Sequence, residues 1–168
     1  FKPKSPLLAR LGGNDVQFFM IDTENVDRTQ RQWLDRELGK SDARWKIAVF
    51  HRPIYTSGRY SLRATWTRSS LEPLLVKHHV PFVLSGHEHF YERTKPLNGV
   101  TYFISGAGGS LRPRDIRAST ITATGFDTDY SFMLWEIAGD EAYFQSISCT
   151  GASVDAGVIR VTGDKDRH

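Results

Sequence analysis

The sequence predicts an α/β fold, in which a mixed sheet is followed by an antiparallel extension at the C-terminal end. Short apolar runs typical of buried strands alternate with helical patterns in the first half of the chain. The end of the chain contains only strand-like runs, separated by polar or Gly-containing turns. Alternation of strands and helices favours a βαβαβ layer, and the strand-only tail favours an antiparallel addition to it.

Length and composition agree with one folded domain. The 168 residues are 39% hydrophobic and 24% charged, which excludes a disordered or coiled-coil chain. No apolar run approaches the ~20 residues that a membrane helix needs. The formal net charge is only +3 and the basic residues are scattered, so nucleic-acid binding is not indicated.

The first predicted strand covers residues 16–22 (VQFFMID), because this run is short and mostly apolar. A helix is predicted over residues 28–39. Thr29 and Gln32 have the spacing of a capping box near its start, and Gly39 is the expected stop.

The second predicted strand covers residues 46–50 (KIAVF) and ends there because Pro53 cannot continue a central ladder. Residues 54–67 are expected to form a loop. Ser69 and Glu72 again have capping-box spacing, which predicts a second helix over residues 69–79.

Two more buried strands are predicted at residues 80–85 (VPFVLS) and 100–105 (VTYFIS). Residues 110–129 show no periodicity and predict a long polar loop with three solvated arginines. These are Arg112, Arg114 and Arg117.

A hairpin is predicted near the C-terminus, where the runs 131–137 and 142–149 flank a Gly-Asp turn. Residues 157–161 are expected to form a last strand. Cys149 lies in an alternating apolar stretch, so it is expected to be a small buried hydrophobe rather than a reactive thiol.

Three histidines follow the ends of two predicted strands. His51 comes directly after one strand, while His87 and His89 follow the next strand in a Gly-His-Glu-His turn. Ligands of open α/β sheets bind beyond the carboxyl ends of the strands. Neutral imidazoles prefer zinc, iron, nickel and copper, and Gly86 is expected to let both rings of the turn face one cavity. The alternative is that these are ordinary polar loop residues.

The two histidine motifs resemble those of a known family. Residues 85–93 (SGHEHFYER), together with residues 49–55 (VFHRPIY) upstream, resemble the calcineurin-like metallophosphoesterases. The Tyr-Glu-Arg that follows the aromatic residue is similar to the purple acid phosphatase-type branch. Residues 99–102 (GVTY) and 105–109 (SGAGG) also agree with this branch.

This resemblance implies half of a four-layer α/β/β/α metallophosphoesterase sandwich and hydrolysis of phosphate esters. It implies two transition metals in the intact site, iron with zinc, manganese or a second iron. By the same resemblance His51 and His87 hold one metal and His89 holds the other. It also implies a secreted or periplasmic protein.

The chain departs from the family pattern at its N-terminal side. The upstream motifs that supply a bridging Asp, an Asn ligand and a Tyr ligand are absent. Residues 1–168 are therefore expected to be the C-terminal part of a catalytic domain, entered through a Pro-containing connector. The expected partner is a missing N-terminal segment or a second copy of the chain, and neither nucleic acid nor a membrane.

Other polar residues near the motifs are candidates for the site. Arg52 and Tyr60 are the catalytic candidates, Tyr60 being the nearest counterpart of a His that relatives often carry in this loop. Arg59 and Arg63 are candidates for holding phosphate through bidentate hydrogen bonds. Glu92 either orients a ligating imidazole or forms an ion pair with Arg93.

Two other functions remain open. The first is a non-catalytic module that binds a metal or a partner with the same half-fold. The second is binding of anions or nucleic acid, which rests only on the sequence pI of about 9.1.

Overall fold

The structure is a computed structural model that describes residues 7–12, 15–61 and 64–161. Two helices and ten strands lie in this part of the chain. The helices are α1 (Arg28–Lys40) and α2 (Ala64–Lys77). The strands are β1 (Leu7–Leu11), β2 (Val16–Ile21), β3 (Trp45–Phe50), β4 (Phe82–Ser85), β5 (Tyr91–Thr94), β6 (Thr101–Ser105), β7 (Thr122–Phe126), β8 (Ser131–Ala138), β9 (Glu141–Ser148) and β10 (Ser153–Arg160).

A seven-stranded mixed sheet, in the order β1-β2-β3-β4-β6-β5-β7, forms the centre of the fold. Strands β2, β3, β4 and β6 are parallel, and β1, β5 and β7 run antiparallel to their neighbours. Phe50 pairs with both Ile21 and Ser85, which aligns the carboxyl ends of these strands at one edge. The prediction of an α/β fold with a mixed sheet is confirmed.

Both helices cover one face of this sheet. Helix α1 buries Leu34 and Leu38, and α2 buries Leu71 and Leu75, against a core that includes Phe19. Among the described residues, no helix is both long enough and apolar enough to cross a membrane.

The predicted start of α1 at residue 28 is confirmed, but its capping residue and the start of α2 differ from the predicted ones. The cap of α1 is Asp27, whose carboxylate accepts a hydrogen bond from the Gln30 amide at 2.7 Å, so the Thr29 capping box is wrong. Helix α2 begins at Ala64 and therefore includes Ser69. The Ser69 hydroxyl donates to the Trp66 carbonyl at 2.8 Å, a local bond that a serine inside a helix can make.

A second sheet, in the order β10-β9-β8, packs on the opposite face and makes a three-layer α/β/β arrangement. Aromatic rings fill the space between the two sheets. Phe82 and Trp135 stack with ring centroids 4.4 Å apart, and Phe103 meets Phe144 edge-on at 5.0 Å. The outer face of the small sheet exposes three large apolar side chains, Phe132, Leu134 and Tyr143.

Polar contacts join the two sheets at their margins. The Trp45 indole donates to the Gly139 carbonyl at 2.8 Å. Asp155 on β10 accepts hydrogen bonds from the Tyr91 hydroxyl and the Arg93 Nε, both at 2.7 Å. Burial raises the pKa of Asp155, but these hydrogen bonds outweigh burial and lower it below its ordinary value.

The structure contains strands in three segments that were not predicted to hold any. Strand β1 follows the predicted connector, whose Pro3 and Pro6 lie outside the described residues. Strand β5 follows the histidine turn, and β7 lies inside the expected loop 110–129. Strands β1 and β7 are edge strands with exposed positions, and β5 is an interior strand that buries the polar residues Glu92 and Thr94. None of the three is therefore a continuous apolar run. The last strand, β10, also begins earlier than residue 157.

Cys149 is exposed, so the prediction that it is buried is wrong. Strand β9 ends at Ser148, and the chain turns away from the core at the next residue. The Cys149 thiol donates to the Asp129 carboxylate at 3.0 Å.

The Asp155 contacts yield a test of how the two sheets are joined. We expect Asp155→Asn to lower the free energy of unfolding by about 1–3 kcal/mol at pH 7, because the hydrogen bonds from Arg93 and Tyr91 lose their charged acceptor. The stabilisation is present above the ordinary pKa of 3.8 and is lost as pH falls through the lower folded value. Urea unfolding should therefore show a smaller difference in stability between the wild type and Asp155→Asn at pH 3 than at pH 7.

Asp140→Asn is the matched control, because Asp140 forms an exposed ion pair with Arg44 at 3.0 Å. Exposed pairs contribute at most about 1 kcal/mol. Equal destabilisation by the two substitutions at pH 7 would contradict a special role for Asp155.

Candidate metal centre

Two of the three predicted histidines meet at the carboxyl edge of the parallel strands. His51 directly follows β3 and is exposed, and His87 lies two residues after β4. The His51 Nε2 and His87 Nδ1 atoms are 3.0 Å apart, and the two rings are nearly perpendicular at 85°. The structure thus brings together two imidazoles that are 36 residues apart in sequence.

This imidazole pair fits part of the ligand set of one transition metal. Nitrogen ligands lie about 2.0–2.1 Å from zinc, so two adjacent ligands on one ion have nitrogens roughly 3 Å apart. The His87 Nε2 atom is buried and lacks a hydrogen-bond partner among the residues described. No group of three or more His, Cys, Asp or Glu side chains that could hold a metal is found in the described part of the chain.

His89 is half-buried at the end of the same turn. Burial, followed by the positive charges of Arg112 and Arg59, lowers the pKa of the His89 imidazole. Burial, Arg52 and His51 likewise lower the pKa of His87. Both shifts favour the neutral imidazole, which is the form that binds metals.

The histidine turn is a tight γ-turn centred on His87. The Glu88 amide donates to the Gly86 carbonyl at 2.8 Å, and His87 has a φ of +67°. A positive φ is unfavourable for a residue that carries a Cβ. The prediction assigned the conformational freedom to Gly86, but the left-handed backbone is at His87.

Glu88, between the two histidines, has a completely buried side chain. Its carboxylate accepts hydrogen bonds from the Tyr60 amide at 3.2 Å and from the Thr56 hydroxyl at 3.3 Å. Arg112 Nη2 lies 3.2 Å from the other carboxylate oxygen. Burial raises the pKa of Glu88, while these partners favour its charged form.

Two glycines allow the loops to pack this closely around Glu88. A Cβ on Gly106 would lie 2.0 Å from the Glu88 carbonyl oxygen, and one on Gly58 would lie 2.7 Å from the Glu88 carboxylate. Both distances are far inside van der Waals contact. Only glycine fits at these two positions without displacing the histidine turn.

Arg112 is part of this arrangement, so the prediction that it is solvated is wrong. Its side chain is 18% exposed and contacts both Glu88 and Asp115, the latter at 3.6 Å. Arg114 and Arg117 are exposed, in agreement with the prediction. Sequence reasoning missed Glu88, Arg112 and Gly106, and the one available signal was an acidic residue between two histidines.

Two of the other predicted arginines have carboxylate partners. Arg52 pairs with Glu24, and Arg59 Nε contacts both oxygens of Asp115 at 3.0 and 3.1 Å. Arg63 lies outside the described residues.

Tyr60 and Glu92 take different positions around the site. The Tyr60 ring lies 4.7 Å from the His87 ring, centroid to centroid. Glu92 is buried and accepts hydrogen bonds from the Ser57 amide at 2.9 Å and the Thr122 hydroxyl at 2.6 Å. Arg93 pairs with Asp155, so the alternative of a Glu92–Arg93 ion pair is wrong.

A family model described as calcineurin-like phosphoesterase matches residues 5–91, which is more than half of the chain and includes all three site histidines. The chain belongs to this family. It is 44% identical to an acid phosphatase of Aspergillus ficuum over 77 residues, or 44% of the chain. It is 34% identical over 108 residues, or 61% of the chain, to tartrate-resistant acid phosphatase type 5 of Oryctolagus cuniculus.

Solved structures share the fold at low sequence identity. Purple acid phosphatase from yellow lupin (Lupinus luteus) seeds has a TM-score of 0.81 at 20% identity, covering 92% of this calcineurin-like chain and 32% of its own. The anchor in the inner membrane complex of Plasmodium has a TM-score of 0.79 at 21% identity, covering 95% of this chain and 54% of its own. The sequence similarity to acid phosphatases supports the purple acid phosphatase-type branch that the motifs predict.

The chain spans only part of the length of the curated relatives that it matches. It covers 12% of the Aspergillus ficuum acid phosphatase and 33% of the Oryctolagus cuniculus enzyme.

Gly106 provides a direct test of the packing around the histidine turn. We expect Gly106→Ala to lower the free energy of unfolding by about 3 kcal/mol, because the new Cβ would overlap the Glu88 carbonyl. Gly109→Ala is the control, since a Cβ there would meet nothing within 4 Å and should change stability by less than about 0.5 kcal/mol. Urea unfolding measures both variants, and similar stabilities would contradict the close packing.

Proposed function

We propose that this chain supplies the histidine ligands of a two-metal centre that hydrolyses phosphate esters. The observation that carries the proposal is the 3.0 Å approach of His51 Nε2 and His87 Nδ1, in a chain that belongs to a phosphoesterase family. His51 and His87 would hold one cation and His89 the other. Iron, zinc or manganese, when bound, would supply Lewis acidity and make a water molecule a better nucleophile.

The residues around the imidazoles would favour an anionic substrate. Arg52, Arg59 and Arg112 all act on His87 or His89 electrostatically, so their charges reach the edge where the histidines lie. The Arg52 Nε is engaged by Glu24, but a guanidinium has further N–H donors for a phosphate oxygen. We assign Arg52 to substrate binding, and Tyr60 to shaping the site beside the His87 ring.

The site needs ligands beyond those in the described residues. Two cations repel each other strongly unless a carboxylate bridges them, and no third His, Cys, Asp or Glu side chain joins the histidine pair among the residues described. We propose that an N-terminal segment of a longer protein, or a second copy, completes the site. The exposed row of Phe132, Leu134 and Tyr143 is the surface that such a partner would cover. By resemblance, the complete protein would be secreted or periplasmic.

A non-catalytic module is the second candidate function. It is favoured by the incomplete ligand set in the described residues and by the fold shared with the Plasmodium inner-membrane-complex anchor. Metal analysis combined with a phosphate-ester assay separates this candidate from the enzyme.

Loss of one imidazole tests the enzyme proposal in the protein that contains this chain. We expect His87→Ala or His89→Ala to abolish nearly all phosphate-ester hydrolysis while the circular dichroism spectrum stays unchanged, because these residues lie in a turn outside the core. His79→Asn is the control, since His79 is exposed at the end of α2 and Asn tolerates its positive φ. Wild-type turnover in either site variant would rule out the assignment.

The chain of 168 residues by itself gives a second test. Because its histidines complete neither metal's ligand set, we expect it to bind at most one transition metal, weakly, with negligible activity. We also expect self-association through its exposed apolar face. Metal analysis, an activated phosphate monoester and sedimentation measure these properties. A monomer that holds two metals and turns over at ~1–1,000 per second would refute the proposal that another segment must complete the site.

A further inference from the structure

We propose that Arg112 and Glu88 are positioning residues that hold His87 in its strained γ-turn, with its Nδ1 facing His51. This inference deepens the proposed function and rests on it. It assigns a role to an arginine that lies 23 residues after the histidine motif, in a segment with no recognisable pattern.

The turn needs an external support because its backbone conformation is unfavourable. His87 has a φ of +67°, and a single hydrogen bond, from the Glu88 amide to the Gly86 carbonyl, closes the turn. Strained conformations of this kind persist only where the surrounding structure over-determines them. The imidazole pair exists only while His87 keeps this conformation.

Arg112 contacts the turn at three points. Its Nη2 donates to the His87 carbonyl at 2.9 Å and to the Glu88 carboxylate at 3.2 Å. Its backbone amide donates to the His89 carbonyl at 3.1 Å. The guanidinium therefore fixes the peptide that follows His87, which is the group that would rotate if the turn relaxed.

Glu88 extends the support to the segment that follows His51. Its carboxylate accepts from the Tyr60 amide and the Thr56 hydroxyl, and both residues lie in that segment. One buried ion pair consequently connects the backbones on both sides of the imidazole pair. Removing it is expected to let the two rings separate.

The sign of the effect distinguishes positioning from simple electrostatics. Arg112 lies close enough to influence His87 and His89 as a positive charge. Deleting a nearby positive charge should strengthen binding of a cation by Coulomb's law. If Arg112 positions His87, its deletion should instead weaken binding, even though a repulsive charge is lost.

The experiment measures Zn²⁺ affinity of the 168-residue chain by titration calorimetry, with thermal unfolding of each variant as the fold control. We expect Arg112→Gln to weaken Zn²⁺ binding by about 10- to 100-fold, the usual effect of losing a group that orients a metal ligand. Arg117→Gln is the matched control, because it removes the same charge from an exposed position in the same segment. It should leave the affinity unchanged or slightly higher.

A second variant keeps the test valid if the unpaired Glu88 of Arg112→Gln prevents folding. Arg112→Met combined with Glu88→Gln removes both charges together, preserves side-chain volume and leaves an acceptor for the Tyr60 amide. We expect this pair to weaken Zn²⁺ binding as much as Arg112→Gln. Wild-type affinity in a folded form of either variant would overturn the inference.

The His87→Ala variant connects the result to the proposed site. It also distinguishes a failure of the positioning role from a failure of the proposed metal centre. If Arg112 acts through His87, the Arg112→Gln substitution should cause no further loss of Zn²⁺ affinity in a His87→Ala background. Equal additional loss in that background would overturn the positioning role alone. Wild-type Zn²⁺ affinity in His87→Ala itself would instead overturn the proposed metal centre.

Discussion

Burial of both faces of the parallel strands determines where this chain can place polar chemistry. Strands β3, β4 and β6 are covered by helices on one side and by the small sheet on the other, so most of their residues are apolar. The first positions free of this requirement lie just beyond the carboxyl ends. His51 and His87 occupy those positions on adjacent strands, and the pairing of Phe50 with Ser85 brings them together.

The same constraint explains what could be predicted from sequence. The strands that precede His51 and His87 were predictable because they contain the continuously apolar runs IAVF and FVL. Strand β7 was not, because TATGF is half exposed and contains Gly125. The convergence of two histidines followed from strand ends, whereas the role of Arg112 depends on a long-range contact that no local pattern encodes. The start of α2 was also missed, because Ser69 bonds within the helix.

Charges around the imidazoles are balanced by specific carboxylates. Arg52, Arg59 and Arg112 pair with Glu24, Asp115 and Glu88. Partial neutralisation fixes the guanidinium groups in place and limits their repulsion of a bound cation, while N–H donors remain for an anion. The proposed site, which would hold metal ions and attract phosphate, needs both properties. Isolated surface arginines, as the sequence suggested, would attract phosphate but would also repel a bound cation.

The position of Asp155 on the last described strand also bears on how the chain folds. Its partners Tyr91 and Arg93 lie more than 60 residues earlier in the chain. The Trp45 indole likewise bonds to the carbonyl of Gly139, 94 residues later. Contacts between such distant residues make folding slow, because loop closure precedes any energetic gain. During synthesis the large sheet therefore emerges with one face uncovered until β8, β9 and β10 follow. Until these three strands pack onto it, a newly made chain exposes apolar surface of the kind that favours aggregation.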